Sequence, residues 1–480
     1  MNFAQEQNQA VAALKRGDRA TCLTALSRLA DAPDTAAIAF APLARLADAI
    51  GACGHARRFA LRVLDQSSGQ EPELLGLLDI LVRNGGMSEA RERAHSALER
   101  LPQSLGLNHF CGVIASQLGE TEAAREHFDR VLSQAPLAAP AWVSFANLPG
   151  TGSEREIEAL KQALSQAVRT PPENQAAMQS ALGFWQHRAD DRSAFDYWDR
   201  AAALMRSVRP YDRSREEAAV DALIASTPRA EMGWKPSTQT STRPILVTSL
   251  PRSGSTLVEQ ILCSHSSVTD GAELNLFKHA LMPIGGGVQP ALAERFNAAH
   301  PDPWSMVGGF YLDMLDGRFG PEGRIVDKTL NFSRFLPWLE ASLPEAPLIW
   351  MRRNPEAAAL SCYRTWFPQG LNWSWSLEDI AHQFRLEDRL YEHWSTLYPD
   401  RILSVQYEDL VADADSWIAR IAEHCGLAPE PQMSRFHETR RAVLTASVDQ
   451  VRQPLYDKAV AGWKQYEVQM RPFSEAYRPA

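Results

Sequence analysis

No uncharged apolar run in these 480 residues approaches the 18 or more that a membrane-crossing helix needs, so no membrane span is expected. The opening Met1-Asn2-Phe3-Ala4-Gln5-Glu6 lacks a basic segment followed by an apolar stretch, and no secretory signal is read there. Six cysteines (22, 53, 111, 263, 362 and 425) are scattered without C-x-x-C spacing. They suit reduced, buried thiols better than a metal site. Excess basic charge is missing too: the net charge is −9, which disfavours nucleic acid as a partner but leaves room for one local basic pocket. Together these absences predict a cytoplasmic protein.

What is present divides in the middle. At about 150 residues per domain, a chain of this length holds two or three domains. The first half is rich in alanine and leucine and repeats itself. Gly17, Gly51, Gly85 and Gly119 recur every 34 residues. Ala56, Ala90 and Ala124 keep that step, as do Ala60, Ala94 and Phe128, then Leu64, Leu98 and Leu132, and finally Pro102 and Pro136. Small residues let paired helices approach, glycine permits the turn between them, and proline ends the second helix. The period and order resemble the tetratricopeptide repeat. Five or six helical hairpins are expected over about residues 5–208, in an all-α repeat domain assigned to 1–225. Two readings stay open: a concave surface for a peptide or protein partner, or a stabilising or dimerising appendage.

A polar connector is assigned to 226–243. Beyond it, over 244–480, short β-branched runs alternate with helical stretches, which predicts an α/β domain. Ile245-Leu246-Val247, Ile325-Val326, Leu348-Ile349-Trp350-Met351 and Ile402-Leu403-Ser404-Val405 are the strand candidates.

The first strand runs into Leu250-Pro251-Arg252-Ser253-Gly254-Ser255-Thr256-Leu257 and a helix. Such a turn aims successive backbone amides and the positive helix end at an anion. Against the phosphate-loop pattern G-x-x-x-x-G-K-[ST], Gly254 and Thr256 fit, Ser249 replaces the first glycine, and Ser255 stands where lysine should be. That lysine reaches the β- and γ-phosphates of a nucleoside triphosphate. Its absence argues for a ligand with a single 5'-phosphate, and Arg252 offers a planar fork of donors instead. A second anchor is Arg352-Arg353-Asn354-Pro355, followed by Ser361. Arg353 and Ser361 are placed to share one anion if the turn folds back. A surface salt bridge is the plainer alternative for Arg353.

The loop is similar to the 5'-phosphosulfate loop of sulfotransferases. The Arg353–Ser361 pair is similar to that family's 3'-phosphate element, an Arg and a Ser separated by seven residues. The chain as a whole resembles the tetratricopeptide-containing branch related to protein-tyrosine sulfotransferases. The resemblance implies an α/β P-loop-like domain, a parallel sheet flanked by helices, behind the all-α tetratricopeptide-like helical repeat domain. It implies transfer of a sulfuryl group from 3'-phosphoadenosine-5'-phosphosulfate (PAPS) to an acceptor hydroxyl, with peptidyl tyrosine the best guess and no metal. It assigns Arg252, Ser253, Gly254, Ser255 and Thr256 to the donor's 5' end, and Arg353 and Ser361 to its 3'-phosphate. Tyr407 falls on the nucleotide side. Lys328 would meet the bridging oxygen of the departing phosphate, Ser447 would lie near that oxygen or the nucleotide, and Glu273 would be the general base. Each of Glu273, Lys328, Ser447 and Tyr407, taken alone, is more often structural than functional.

One departure is Gly462, where the family commonly has a basic residue before the tryptophan matching Trp463; Lys464 or Lys458 are the available substitutes. His265 reads as structural, with a minor claim as base. Trp366-Phe367 to Trp373-Ser374-Trp375 lines an acceptor cleft or packs in the core. Two rivals remain: a nucleotide-dependent phosphotransferase, and a repeat scaffold with an inactive transferase domain. The oligomeric state stays open, a homo-oligomer included.

Overall fold

The computed structural model describes residues 3–33, 39–66, 70–189, 192–225, 234–235, 237–286, 289–367, 369–438 and 462–478. Helices α1 (Phe3–Lys15) and α2 (Arg19–Ala30) form the first hairpin, and α3 (Phe40–Ala49) and α4 (Cys53–Gln66) the second. Helices α5 (Glu71–Arg83) and α6 (Met87–Arg100), then α7 (Leu105–Leu118) and α8 (Thr121–Gln134), repeat the arrangement. The turns explain the period. Gly17, Gly51, Gly85 and Gly119 sit at φ 72°, 68°, 85° and 81°, a left-handed conformation that costs other residues roughly 1–2 kcal/mol each. The small positions are equally constrained: Ala56, Ala90 and Ala124 are fully buried where helices close on one another. Next come α9 (Ala139–Ala146), α10 (Glu154–Gln166), and the hairpin of α11 (Pro172–Arg188) and α12 (Ala194–Val208), followed by α13 (Arg213–Ala225). Five packed hairpins, α1–α2, α3–α4, α5–α6, α7–α8 and α11–α12, therefore precede residue 209, while α9 and α10 each pack against α11.

The second half is built on five parallel strands: β1 (Pro244–Ser249), β2 (Val268–Asp270), β3 (Arg324–Asp327), β4 (Leu348–Arg352) and β5 (Ile402–Gln406). Their order is β2-β3-β1-β4-β5. β1 pairs with β3 from Pro244 opposite Ile325, and with β4 from Leu246 opposite Leu348. All six β1 residues are buried, as a central parallel strand covered on both faces requires. Four strands match the sequence expectation. The fifth, β2, is a three-residue edge strand with one buried side chain, Val268, and so carries almost no pattern. After β1 the chain goes to one side and returns to the other, which makes the carboxyl end of β1 the point where α/β sheets bind ligands.

The two halves share apolar cores. Val220 and Leu223 of α13 are buried with Trp304, Trp338 and Trp394 of the sheet half. Phe195, Trp198 and Met205 of α12 are buried with Tyr363, Trp375 and Tyr466. Farther along the seam, a Cβ on Gly51 would come within 2.4 Å of the Met314 Sδ. The aromatic stretch offered as an acceptor cleft resolves mainly as packing. Trp373 and Trp375 are buried in the shared core, the Trp366 ring lies tilted with its centre 5.2 Å from that of Trp375, and only Trp366 and Phe367 stay half-buried. Among the described residues, no helix is long and apolar enough to cross a membrane.

Candidate active site

β1 delivers the chain into a turn that bends twice to the left-handed side, at Arg252 (φ 68°) and Gly254 (φ 94°), before α14 (Ser255–Leu262) begins. Alternating backbone of this kind turns successive amides toward one point. Those of Ser253, Gly254 and Ser255 donate to no acceptor among the described residues. The turn therefore fits an anionic group. Glycine is needed at 254 for a second reason, since a Cβ would lie 2.4 Å from the Tyr407 ring. Ser253, Ser255 and Thr256 are all buried. The Cys362 thiol donates to the Pro251 carbonyl at 3.3 Å, and burial pushes that thiol up to about 12, so it is an inert prop for the loop.

β4 brings the second anchor to the same place. Asn354 caps the following helix by accepting from the Ala357 amide, and Pro355 presets its first turn. From that helix the Ser361 Oγ accepts from the Arg252 Nε at 3.0 Å. The Arg353 Nη1 donates to the Arg252 carbonyl at 2.9 Å, and its guanidinium lies 4.7 Å from the centre of the Tyr407 ring. The loop and the Arg–Ser element, a hundred residues apart, thus form one cluster. Arg252 stands between Arg353 and Ser361 as a third member.

The other side of the crevice is made by β2 and β3. Lys328, 1% exposed, directly follows β3, and its Nζ lies 3.1 Å from the Glu273 Oε1 and 3.9 Å from the Glu259 Oε2. Glu259 lies on α14 and is itself 1% exposed. Sequence reading missed it. The available signal was a lone carboxylate in Leu257-Val258-Glu259-Gln260-Ile261-Leu262, one turn past the loop. Glu273 is 44% exposed and faces outward from a tightly held bend. Gly271 donates to the Val326 carbonyl at 2.9 Å, Lys328 donates to the Ala272 carbonyl at 2.9 Å, and Asn275 donates to the Thr329 Oγ1 at 3.0 Å. Ala272 and Asn275 take φ 55° and 52°, sparsely populated values that persist only where surrounding bonds impose them. Beneath, the buried Asp327 accepts from the Tyr311 and Thr329 hydroxyls, both at 2.7 Å, while burial raises its carboxyl to about 6.

His265 does not join this group. It precedes β2, whereas Glu273 follows it, so the two stand at opposite ends of the strand. Its Nδ1 accepts from the Ser267 amide at 3.1 Å, and its Nε2 faces the Ala428 carbonyl at 3.0 Å. Both ring nitrogens are committed to holding the chain, which removes it as a base. Lys464 is exposed, as is Gly462 beside it. Ser447 and Lys458 lie outside the described residues.

Residues 244–431 match the model of the Sulfotransferase family. A protein of Aquifex aeolicus (strain VF5), described as an uncharacterized protein, is 28% identical over 414 residues, which cover 82% of this chain and 53% of that one. The chain therefore spans about half the length of the curated relative it matches. Solved structures with similarity include the sulfotransferase domain from the Synechococcus PCC 7002 olefin synthase, at 19% identity and a TM-score of 0.34 over 52% of this chain and 99% of that one. Sulfotransferase STF1 from Mycobacterium tuberculosis H37Rv is similar at 17% identity and a TM-score of 0.29, over 64% of this chain and 98% of that one. Residues 244–431, which hold Arg252, Glu273, Lys328, Arg353, Ser361 and Tyr407, form a sulfotransferase-like domain.

Proposed function

We propose that this domain moves a sulfuryl group from PAPS to an acceptor hydroxyl. The observation that carries the reading is the convergence of Arg252, Arg353 and Ser361 beside a loop whose Ser253, Gly254 and Ser255 amides donate to no acceptor among the described residues. Two cationic forks around an amide-lined turn suit a nucleotide with separate 5' and 3' anionic groups. The loop amides with Ser255 and Thr256 would hold the 5' end, Arg353 and Ser361 the 3'-phosphate, and Tyr407 the nucleoside face.

The donor supplies an activated sulfur–oxygen bond. Sulfuryl transfer forms a bond from the acceptor oxygen to sulfur and breaks the bond to the phosphate oxygen. Lys328 would balance charge on the departing oxygen. Glu273 is the exposed carboxylate of the pair, reachable by an acceptor, and would take its proton. By the resemblance carried on Glu273, a peptidyl tyrosine is the acceptor we favour, and the tetratricopeptide-like pairs would present it. Adenosine 3',5'-bisphosphate should raise the melting temperature far more than AMP or ATP, because a ligand stabilises only the state it binds. Equal shifts for the three nucleotides would remove the assignment.

A further inference from the structure

A cavity of about 360 Å³ lies on the seam between the first two hairpins and the helix Pro303–Phe319, away from the transfer crevice. Arg19 forms part of its wall. That side chain is 2% exposed, and its Nε donates to the Ile50 carbonyl at 3.1 Å. Its guanidinium stands 5.3 Å from the centre of the Phe310 ring. Among the described residues its buried Nη1 has no acceptor, and no carboxylate lies within 4.0 Å of it. Asp313, exposed on the facing helix, is felt only at longer range. Burial accordingly presses on the charged form of this arginine and lowers its affinity for the proton. A guanidinium held this way is a donor and a charge awaiting an anion.

Asp313 also lines the cavity and carries its one negative charge; the opposite sign comes from Arg58 and the amino end of α4. Gly51, Ala52, Cys53 and Gly54 bring the amino end of the 14-residue α4 to the cavity, and Ala52, the residue before the helix, has no side chain with which to cap it. First-turn amides and the positive helix end therefore face the space. Arg58 lines the rim, where its contact with Asp31 at 3.2 Å is an exposed pair. Burial and then Arg58 lower the affinity of His55 for the proton there.

We propose that this cavity binds a tetrahedral oxyanion of the phosphate or sulfate kind, held by Arg19, Arg58 and the amino end of α4. Donors come from α2 and from two points on α4, and a tetrahedral group offers an oxygen to each. The volume admits either a free ion or the ester of a small organic molecule. Occupancy would tie α2 and α4 to the helix Pro303–Phe319 across the seam. Inorganic phosphate and phenyl phosphate, titrated separately against the full chain in thermal-shift measurements, provide the test. At least one should raise the melting temperature, and the larger shift tells whether the ion is free or esterified. The increment should persist in Arg252→Ala, whose lesion is in the transfer crevice, and vanish in Arg19→Met. Should Arg19→Met fail to fold, Arg58→Gln on the surface should raise the half-effect concentration on the order of tenfold. No shift in the wild type, or an undiminished one in Arg19→Met or Arg58→Gln, overturns the proposal. The Arg252→Ala arm makes the outcome independent of what the transfer crevice binds.

Discussion

The ammonium of Lys328 lies 3.1 Å from the carboxylate of Glu273, so the group proposed to meet the leaving oxygen is tied to the group proposed to take the acceptor's proton. Lys328 is sealed at 1% exposure and also faces Glu259, while Glu273 is 44% exposed. An acceptor approaching from solvent reaches the glutamate first.

Glu273→Gln keeps the shape and one hydrogen bond to Lys328 but cannot accept a proton. Turnover should fall about 10²–10⁴-fold, the usual contribution of a positioned base. Bisphosphate affinity should stay close to wild type, and a phenol of low pKa should be rescued more than tyrosine. Retention of more than about a tenth of wild-type turnover under chemistry-limited conditions would place the base elsewhere.

Arg353→Ala deletes a charged donor and the cation lying over Tyr407. The loss is on the order of 2 kcal/mol, or roughly thirtyfold in affinity, if the residue holds a phosphate. Calorimetric titration should show adenosine 3',5'-bisphosphate weakening by about that factor while AMP changes little. A parallel loss for both nucleotides would mean that Arg353 only supports the loop through the Arg252 carbonyl.

Deleting the repeats tests whether they are separable. Recruitment alone would leave a chain starting near residue 230 folded, able to bind bisphosphate and deficient only toward a protein acceptor. The shared cores predict otherwise, because such a chain uncovers the surfaces that Val220, Leu223, Trp198 and Met205 cover. It should lack a cooperative melting transition. A sharp melt with intact bisphosphate binding would favour the recruitment reading over a stabilising appendage.

Glu387 gives a pH signature. It is buried beside a cavity of about 150 Å³ that also touches Ser253 and Arg353, and it accepts from the Ser333 Oγ at 3.0 Å. Burial raises its carboxyl from 4.5 to about 7. Between those values the folded chain keeps a proton that the unfolded chain has released. Stability from this group is therefore full below about 4.5 and is lost as the pH rises through about 7. Glu387→Gln cannot titrate, so its urea midpoint should fall less than that of wild type between pH 5 and pH 8. At pH 8 it should match or exceed wild type, by up to a few kcal/mol. Identical slopes for the two proteins would show that this carboxyl is ionised throughout.

Much of this architecture was legible residue by residue. The 34-residue glycine period is visible because each turn demands a left-handed backbone, β1, β3 and β4 because central strands carry buried apolar runs, and the edge strand β5 because Ile402, Leu403 and Val405 still make a short apolar run. Arg252, Arg353 and Ser361 were readable as types and spacings, but not the bond from Arg252 to Ser361, which depends on how β1 and β4 pair. Glu259 and Arg19 were invisible for the same reason. Their significance lies in Lys328 and in the seam, brought to them only by the folded chain. β2 escaped because an edge strand burying one side chain leaves no alternation to detect.

The apolar face of α13 has a consequence for how the molecule is made. Leu223 leaves the ribosome long before Trp394, which shares its core. At roughly 5–20 residues per second the interval is about ten to thirty seconds. Throughout that time Val220, Leu223 and the Trp198 side of α12 have no sheet to rest on. The nascent helical half is thus a candidate client for chaperones that hold exposed apolar helices. Slowing translation between codons 225 and 394 should lengthen that dependence, whereas slowing it before codon 190 should not.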